Sequence, residues 1–143
     1  MFLLQPFIHR LTLLYKTGKN FWSFTESDFA TFVLPNTTFG ICSALAGHPL
    51  VYADITALSV LAKIPAVILF NWSNLLVFDL ANQRLWEAVE EDKINKPWRP
   101  IPSGEMPRSE VRQAMQLVIP LVLAFNHYFL NVGAETACIP TST

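Results

Sequence analysis

The stretch from Asn71 to Gly104 reads NWSNLLVFDLANQRLWEAVEEDKINKPWRPIPSG and holds a dense set of side chains capable of chemistry. Asp79, Asn82 and Gln83 close an apolar run, and the spacing of three from Asp79 to Asn82 puts both side chains on one helix face. An acidic cluster follows, Glu87, Glu90, Glu91 and Asp92, and then Lys93, Asn95, Lys96 and Arg99 interleaved with Pro97, Pro100 and Pro102. Carboxylates beside amide oxygens are hard donors of the kind Mg²⁺ takes, and that ion usually completes its octahedron with water and substrate phosphate. Lys and Arg nearby suit the remaining phosphate oxygens, Arg through its bidentate fork. The prolines stiffen the turn and pre-position Arg99 at low entropic cost. These residues point to a magnesium-bridged phosphate or diphosphate site at a membrane surface, and an adjoining apolar bundle would suit a lipid-tailed diphosphate.

Other polar residues read more plainly. Glu87 and Glu90 fit a solvated face, whereas an acidic residue at the end of a hydrophobic span, such as Asp79, is expensive and tends to be functional. Asn126 and His127 read as interhelical hydrogen-bonders. Lys63 either snorkels or lines the bundle. His9 and His48 read as interface residues, and Trp22, Trp72, Trp86 and Trp98 fit an interfacial belt.

The elements that must position this stretch follow from composition. Of 143 residues, 52% are hydrophobic and only 15% charged, where an ordinary soluble domain carries about 25% charged residues. Mean hydropathy is +0.34. Such a chain is neither a disordered tail nor a typical soluble enzyme, and a net charge of -1 excludes a basic nucleic-acid binder. The length allows one domain, or three to four crossings at roughly 20 apolar residues each. Cys42 and Cys138 make neither a disulfide framework nor a metal cage.

Three apolar runs, about 29–45, 55–78 and 114–132, predict an all-α membrane fold of three spans. Asp28 stands where an N-cap to the first would. Residues 1–27 read as a cytosolic or interfacial segment, because Pro6, His9 and Arg10 break the uninterrupted apolar stretch a signal peptide needs. Residues 79–113 form the motif loop, and 133–143 a polar tail. Arg10, Lys16 and Lys19 precede the first span, no Lys or Arg lies in 46–54, and Arg84, Lys93, Lys96, Arg99, Arg108 and Arg112 follow the second. The positive-inside rule then puts the N-terminus and the motif loop in the cytosol of a multi-pass protein, in an intracellular membrane such as the endoplasmic reticulum. The sequons at Asn36 and Asn71 fall inside spans and are discounted.

The segment Asp92-Lys93-Ile94-Asn95-Lys96-Pro97-Trp98-Arg99-Pro100-Ile101-Pro102-Ser103-Gly104 resembles the signature D-x-x-N-K-P-x-R-P-I-P-S-G of UbiA-type intramembrane prenyltransferases. Phe78-Asp79-Leu80-Ala81-Asn82-Gln83 is similar to the variant in a fungal branch of that family. Ser27-Asp28-Phe29 and Pro35-Asn36-Thr37 are less specific likenesses. The resemblance covers 27–132 and implies the first third of a bundle of roughly nine helices. It implies Mg²⁺ as cofactor, with an isoprenyl diphosphate and a hydrophobic acceptor as partners in a bilayer. Asp79 and Asp92 are implied as catalytic metal ligands, with Asn82 and Glu91 beside them, and Asn95, Lys96 and Arg99 as diphosphate binders.

The chain departs from the family pattern N-D-x-x-D-x-x-x-D. Asn82 replaces a second aspartate, a longer insert precedes Asp92, and no second aspartate-rich motif follows. The expectation is therefore a truncated prenyltransferase, inactive alone. The alternatives are a UbiA-type class I terpene cyclase and a noncatalytic membrane protein with a helix–helix partner.

Overall fold

A computed structural model describes residues 4–47 and 56–128. His48, most of the first link, residues 129–132 of the third apolar run, Cys138 and the polar tail lie outside the described residues. The described residues are helical, with turns and no strand: α1 (Leu4–Asp28), a π-helical turn (Phe29–Val33), α2 (Leu34–Ala46), α3 (Ala57–Asn82), α4 (Trp86–Asn95) and α5 (Arg108–Tyr128).

The first apolar run departs from expectation. Asp28 does not cap the start of a span, for it makes no side-chain cap bond, and α1 runs straight through the π turn into α2. Residues 4–28 are thus continuous with α2 as one helical rod. Pro35 explains the π turn. Proline has no N–H and its ring crowds the carbonyl four residues back. The chain widens by one residue just before it, with the Leu34 N–H donating to the carbonyl of Phe29, five residues back.

Two helices are long and apolar enough to cross a membrane, Ile8–Ala46 and Ala57–Asn82. At 1.5 Å per residue either exceeds a hydrocarbon core of about 30 Å. The described part of the expected third span, 114–128, falls within α5, which opens on Arg108, Glu110 and Arg112 and is not of that class over its described residues.

The core lies where α1, α3 and α5 meet. Val111, Met115, Val118 and Val122 recur at helical spacing along α5 and pack on Leu76 and Leu80 of α3 and on Phe24 of α1. Higher in the bundle single neutral hydrogen bonds tie the helices. Asn71 Nδ2 donates to Thr37 Oγ1 at 3.0 Å, Trp72 Nε1 to Thr25 Oγ1 at 2.9 Å, and Asn126 Nδ2 to Asn74 Oδ1 at 3.2 Å. The reading of Asn126 as an interhelical donor is thereby met, whereas His127 packs edge-on against Tyr128. The sequon asparagine Asn71 is engaged between helices, and Lys63 is exposed beside a small groove between α2 and α3. Many large apolar side chains, Leu58, Phe78, Leu117 and Leu121 among them, face outward. An exterior of this kind suits lipid or further protein.

Candidate functional site

The motif loop coils tightly around one side chain. After α4 ends, the Arg99 N–H bonds the Lys96 carbonyl at 3.0 Å, Ser103 N–H the Arg99 carbonyl at 2.9 Å, Gly104 N–H the Ile101 carbonyl at 3.0 Å and Met106 N–H the Pro100 carbonyl at 2.9 Å. Gly104 takes φ +77°, a conformation that favours glycine, which is why the run of turns closes there. Pro100 is fully buried beneath the loop, and Lys19 of α1 anchors its far end through Glu105 at 3.1 Å. The result points the Arg99 guanidinium inward, 1% exposed.

Three carboxylates from three elements converge on that guanidinium. Arg99 Nη1 donates to Asp92 Oδ2 of α4 at 2.9 Å, and Nη2 donates to Asp28 Oδ2 of α1 and to Ser27 Oγ at 3.2 Å. Asp79 Oδ1 of α3 stands 3.8 Å from Nη2. Lys96 Nζ donates to both oxygens of Asp28, at 2.9 and 3.2 Å. Gln83, fully buried just past α3, donates its amide to Asp92 Oδ2, which therefore takes two donors on one oxygen. Isolated buried charges would be prohibitive, so each ion here is retained by its partners.

The cluster is nonetheless incomplete. Asp79 Oδ2, Gln83 Oε1 and Arg99 Nε are buried without hydrogen-bond partners among the described residues. Formally, three carboxylates face two cations, which leaves one negative charge and two free oxygen acceptors. That donor set fits a hard divalent cation, since Mg²⁺ is commonly held by one or two carboxylates with water and phosphate supplying the rest. Among the described residues no three His, Cys, Asp or Glu side chains are grouped so as to hold a metal ion.

Of the residues singled out in the sequence, Asp79, Asp92, Lys96 and Arg99 come together. Asn82 is only half-buried at the end of α3, and its neighbour Gln83 turns into the cluster. Glu91 and Asn95 are exposed and bond each other, Asn95 Nδ2 to Glu91 Oε1 at 3.3 Å. Glu90 pairs with Lys93 on the exposed face of α4 at 2.7 Å, as a solvated face requires.

Sequence reasoning overlooked Ser27, Asp28 and Gln83 as members of the cluster. A signal for Asp28 existed, since a carboxylate inside a long apolar rod demands a partner. For Gln83 it was weaker: a residue four after Asp79 shares its face as well as a residue three after does.

Beside the cluster, an open apolar groove of about 270 Å³ runs between α1, α3 and α5. Phe21, Leu69, Trp72, Leu76, Leu121 and Phe125 are among its walls. Leu76 lies three residues before Asp79, so groove and cluster are separated by about one helical turn, roughly 5 Å along α3.

In sequence the chain is similar to proteins named for isoprenoid chemistry. Over 113 residues, 78% of this chain and 34% of the relative, the sequence is 36% identical to a somaliensene A/B synthase of Streptomyces somaliensis. It is 31% identical to the diterpene cyclase eriG of Hericium erinaceus over 118 residues, 82% of this chain and 35% of the relative. A polyprenyl transferase from the same fungus, eriF, is 28% identical over 125 residues, 86% of this chain and 40% of the relative. No family model matches, and no solved structure does. The chain spans little more than a third of the length of these curated relatives, and what they share by name is the handling of isoprenoids: terpene synthesis, terpene cyclisation and polyprenyl transfer.

Proposed function

We propose that the chain carries one half of the diphosphate site of a UbiA-type intramembrane enzyme acting on an isoprenyl diphosphate. The observation that carries this reading is the buried Arg99 guanidinium, ringed by Asp28, Asp79 and Asp92 with two oxygen acceptors unpartnered, one helical turn from an apolar groove. An anionic head between Lys96 and Arg99 and a prenyl tail along the groove satisfy both surfaces at once. Asp79 and Gln83 would hold Mg²⁺, with Asp92 fixed behind them by Arg99; Asn82, Glu91 and Asn95 stand too far toward the surface of α3 and α4 to lead. When bound, the metal neutralises the leaving diphosphate.

Lys96 and Arg99 do the corresponding work from the protein side. As the allylic C–O bond breaks, its electron pair leaves with the diphosphate. The two fixed cations then stabilise the growing negative charge without having to reorganise. In prenyl transfer the remaining carbocation forms a new bond to a hydrophobic acceptor, which then gives up a proton. On this reading the site faces the cytosol at an intracellular membrane, and the remaining helices of the roughly nine stand alongside the described bundle.

A second reading is cyclisation, in which the carbocation is attacked by a double bond of its own chain. The two relatives of higher identity, the somaliensene synthase and the diterpene cyclase, favour it. Both readings share the ionisation step. Incubation of a complete polypeptide containing this segment with geranylgeranyl diphosphate and Mg²⁺ tests them. Pyrophosphate release, lost on Asp79→Ala and Asp92→Ala and on chelation, is expected, and release untouched by all three overturns the site. A hydrocarbon product without added acceptor identifies cyclisation, and an acceptor-dependent adduct identifies transfer.

A further inference from the structure

We propose that Asp28 is a positioning residue that acts as a built-in counter-anion, holding Lys96 and Arg99 at the diphosphate site until an incoming anion displaces it. The inference rests on the reading of that site as one for a diphosphate. The Asp28 carboxylate is shared between the two cations, with Lys96 Nζ on both of its oxygens at 2.9 and 3.2 Å and Arg99 Nη2 on Oδ2.

The three carboxylates are not equivalent. Asp79 and Asp92 are buried, and Asp92 is fixed by Gln83 and Arg99 together. Asp28 and Lys96 are each 28% exposed at the side chain, so a ligand reaches this pair first. Asp28 is the one side-chain partner of Lys96 among the described residues. Arg99, by contrast, keeps Asp92 and Ser27 if Asp28 departs. Withdrawal of Asp28 therefore frees the Lys96 ammonium and one edge of Arg99 without unseating the guanidinium.

The exchange is electrostatically downhill for the right ligand. A diphosphate brings more than one negative charge to two adjacent cations, where Asp28 brings a single one. Because one anion replaces another, no cation is left unpaired while the ligand enters. A metal ligand or a merely structural carboxylate at this position would behave in the opposite way, since its removal would weaken the site.

Binding of inorganic pyrophosphate to the full chain in detergent, measured by calorimetry without Mg²⁺, separates these roles. Asp28→Asn is expected to bind about tenfold more tightly than the native chain, and Asp28→Glu to bind as the native chain does. The gain should vanish in Asp28→Asn combined with Lys96→Gln. Asp28→Ser is a second neutral variant with the same expectation, should the asparagine variant not fold. Native binding with unchanged or weaker binding in the neutral variants overturns the counter-anion role alone. Pyrophosphate binding by none of these chains, either without Mg²⁺ or after its addition, overturns the diphosphate reading and this role with it.

Discussion

The charged cluster at the lower end of the bundle and the neutral contacts higher up solve the same problem by different means. Asp28, Asp79, Asp92, Lys96 and Arg99 bring charges from α1, α3, α4 and the motif loop to one point, tied to one another. Asn71 to Thr37, Trp72 to Thr25 and Asn126 to Asn74 each join two helices by one neutral bond. The difference teaches that burial in this protein is tolerated for two reasons. Neutral pairs suffice where helices need only register. Charges are gathered where several elements meet at one point, and there each ion is held by the others.

The sharpest way to break this comparison is Arg99→Ala. It leaves three carboxylates facing one another, and removal of one partner of a buried ionic group costs about 3–5 kcal/mol. Thermal unfolding in detergent should show the loss, and Arg99→Lys should not restore it, because an ammonium has no fork to meet Asp28 and Asp92 together. A melting point unchanged by the alanine variant would mean the cluster does not hold the loop.

Leu80→Ala comes next. Leu80 is fully buried in the α1–α3–α5 core, and a cavity of that kind costs about 2–5 kcal/mol. Denaturant titration should register it with the apolar packing beside the cluster lost and the ion pairs chemically intact. Gly104→Ala should cost on the order of 1 kcal/mol by forcing a side chain into positive φ, with limited proteolysis reading out a loosened motif loop.

Among the neutral contacts, Thr37→Val should cost about 0.6 kcal/mol, the usual worth of an interhelical hydrogen bond in a membrane. Glu90→Gln marks the bottom of the scale. Its pair with Lys93 is largely exposed, so the change should fall within about 0–1 kcal/mol in the same melts. A cost at Thr37 equal to that at Arg99 would erase the distinction between the two regions.

Much of this was legible in residue order. Apolar run length announced helices, the prolines announced a stiff loop, and the charge types in 79–99 announced that carboxylates and cations would stand close together there. These are local properties: propensity, hydropathy and donor chemistry belong to residues near one another in the chain. What only the tertiary structure decided is which of those residues meet. Asp28 lies 71 positions from Arg99 and reads locally as a cap, yet it is the carboxylate that joins Lys96 to Arg99. Gln83 rather than Asn82 enters the cluster, where its amide meets Asp92 of α4, a residue nine positions on. Pro35 stood inside the first apolar run, but the widened π turn just before it emerged only when the backbone had to continue. Side-chain chemistry is written residue by residue, whereas partnership is set by long-range packing that no short window of sequence contains.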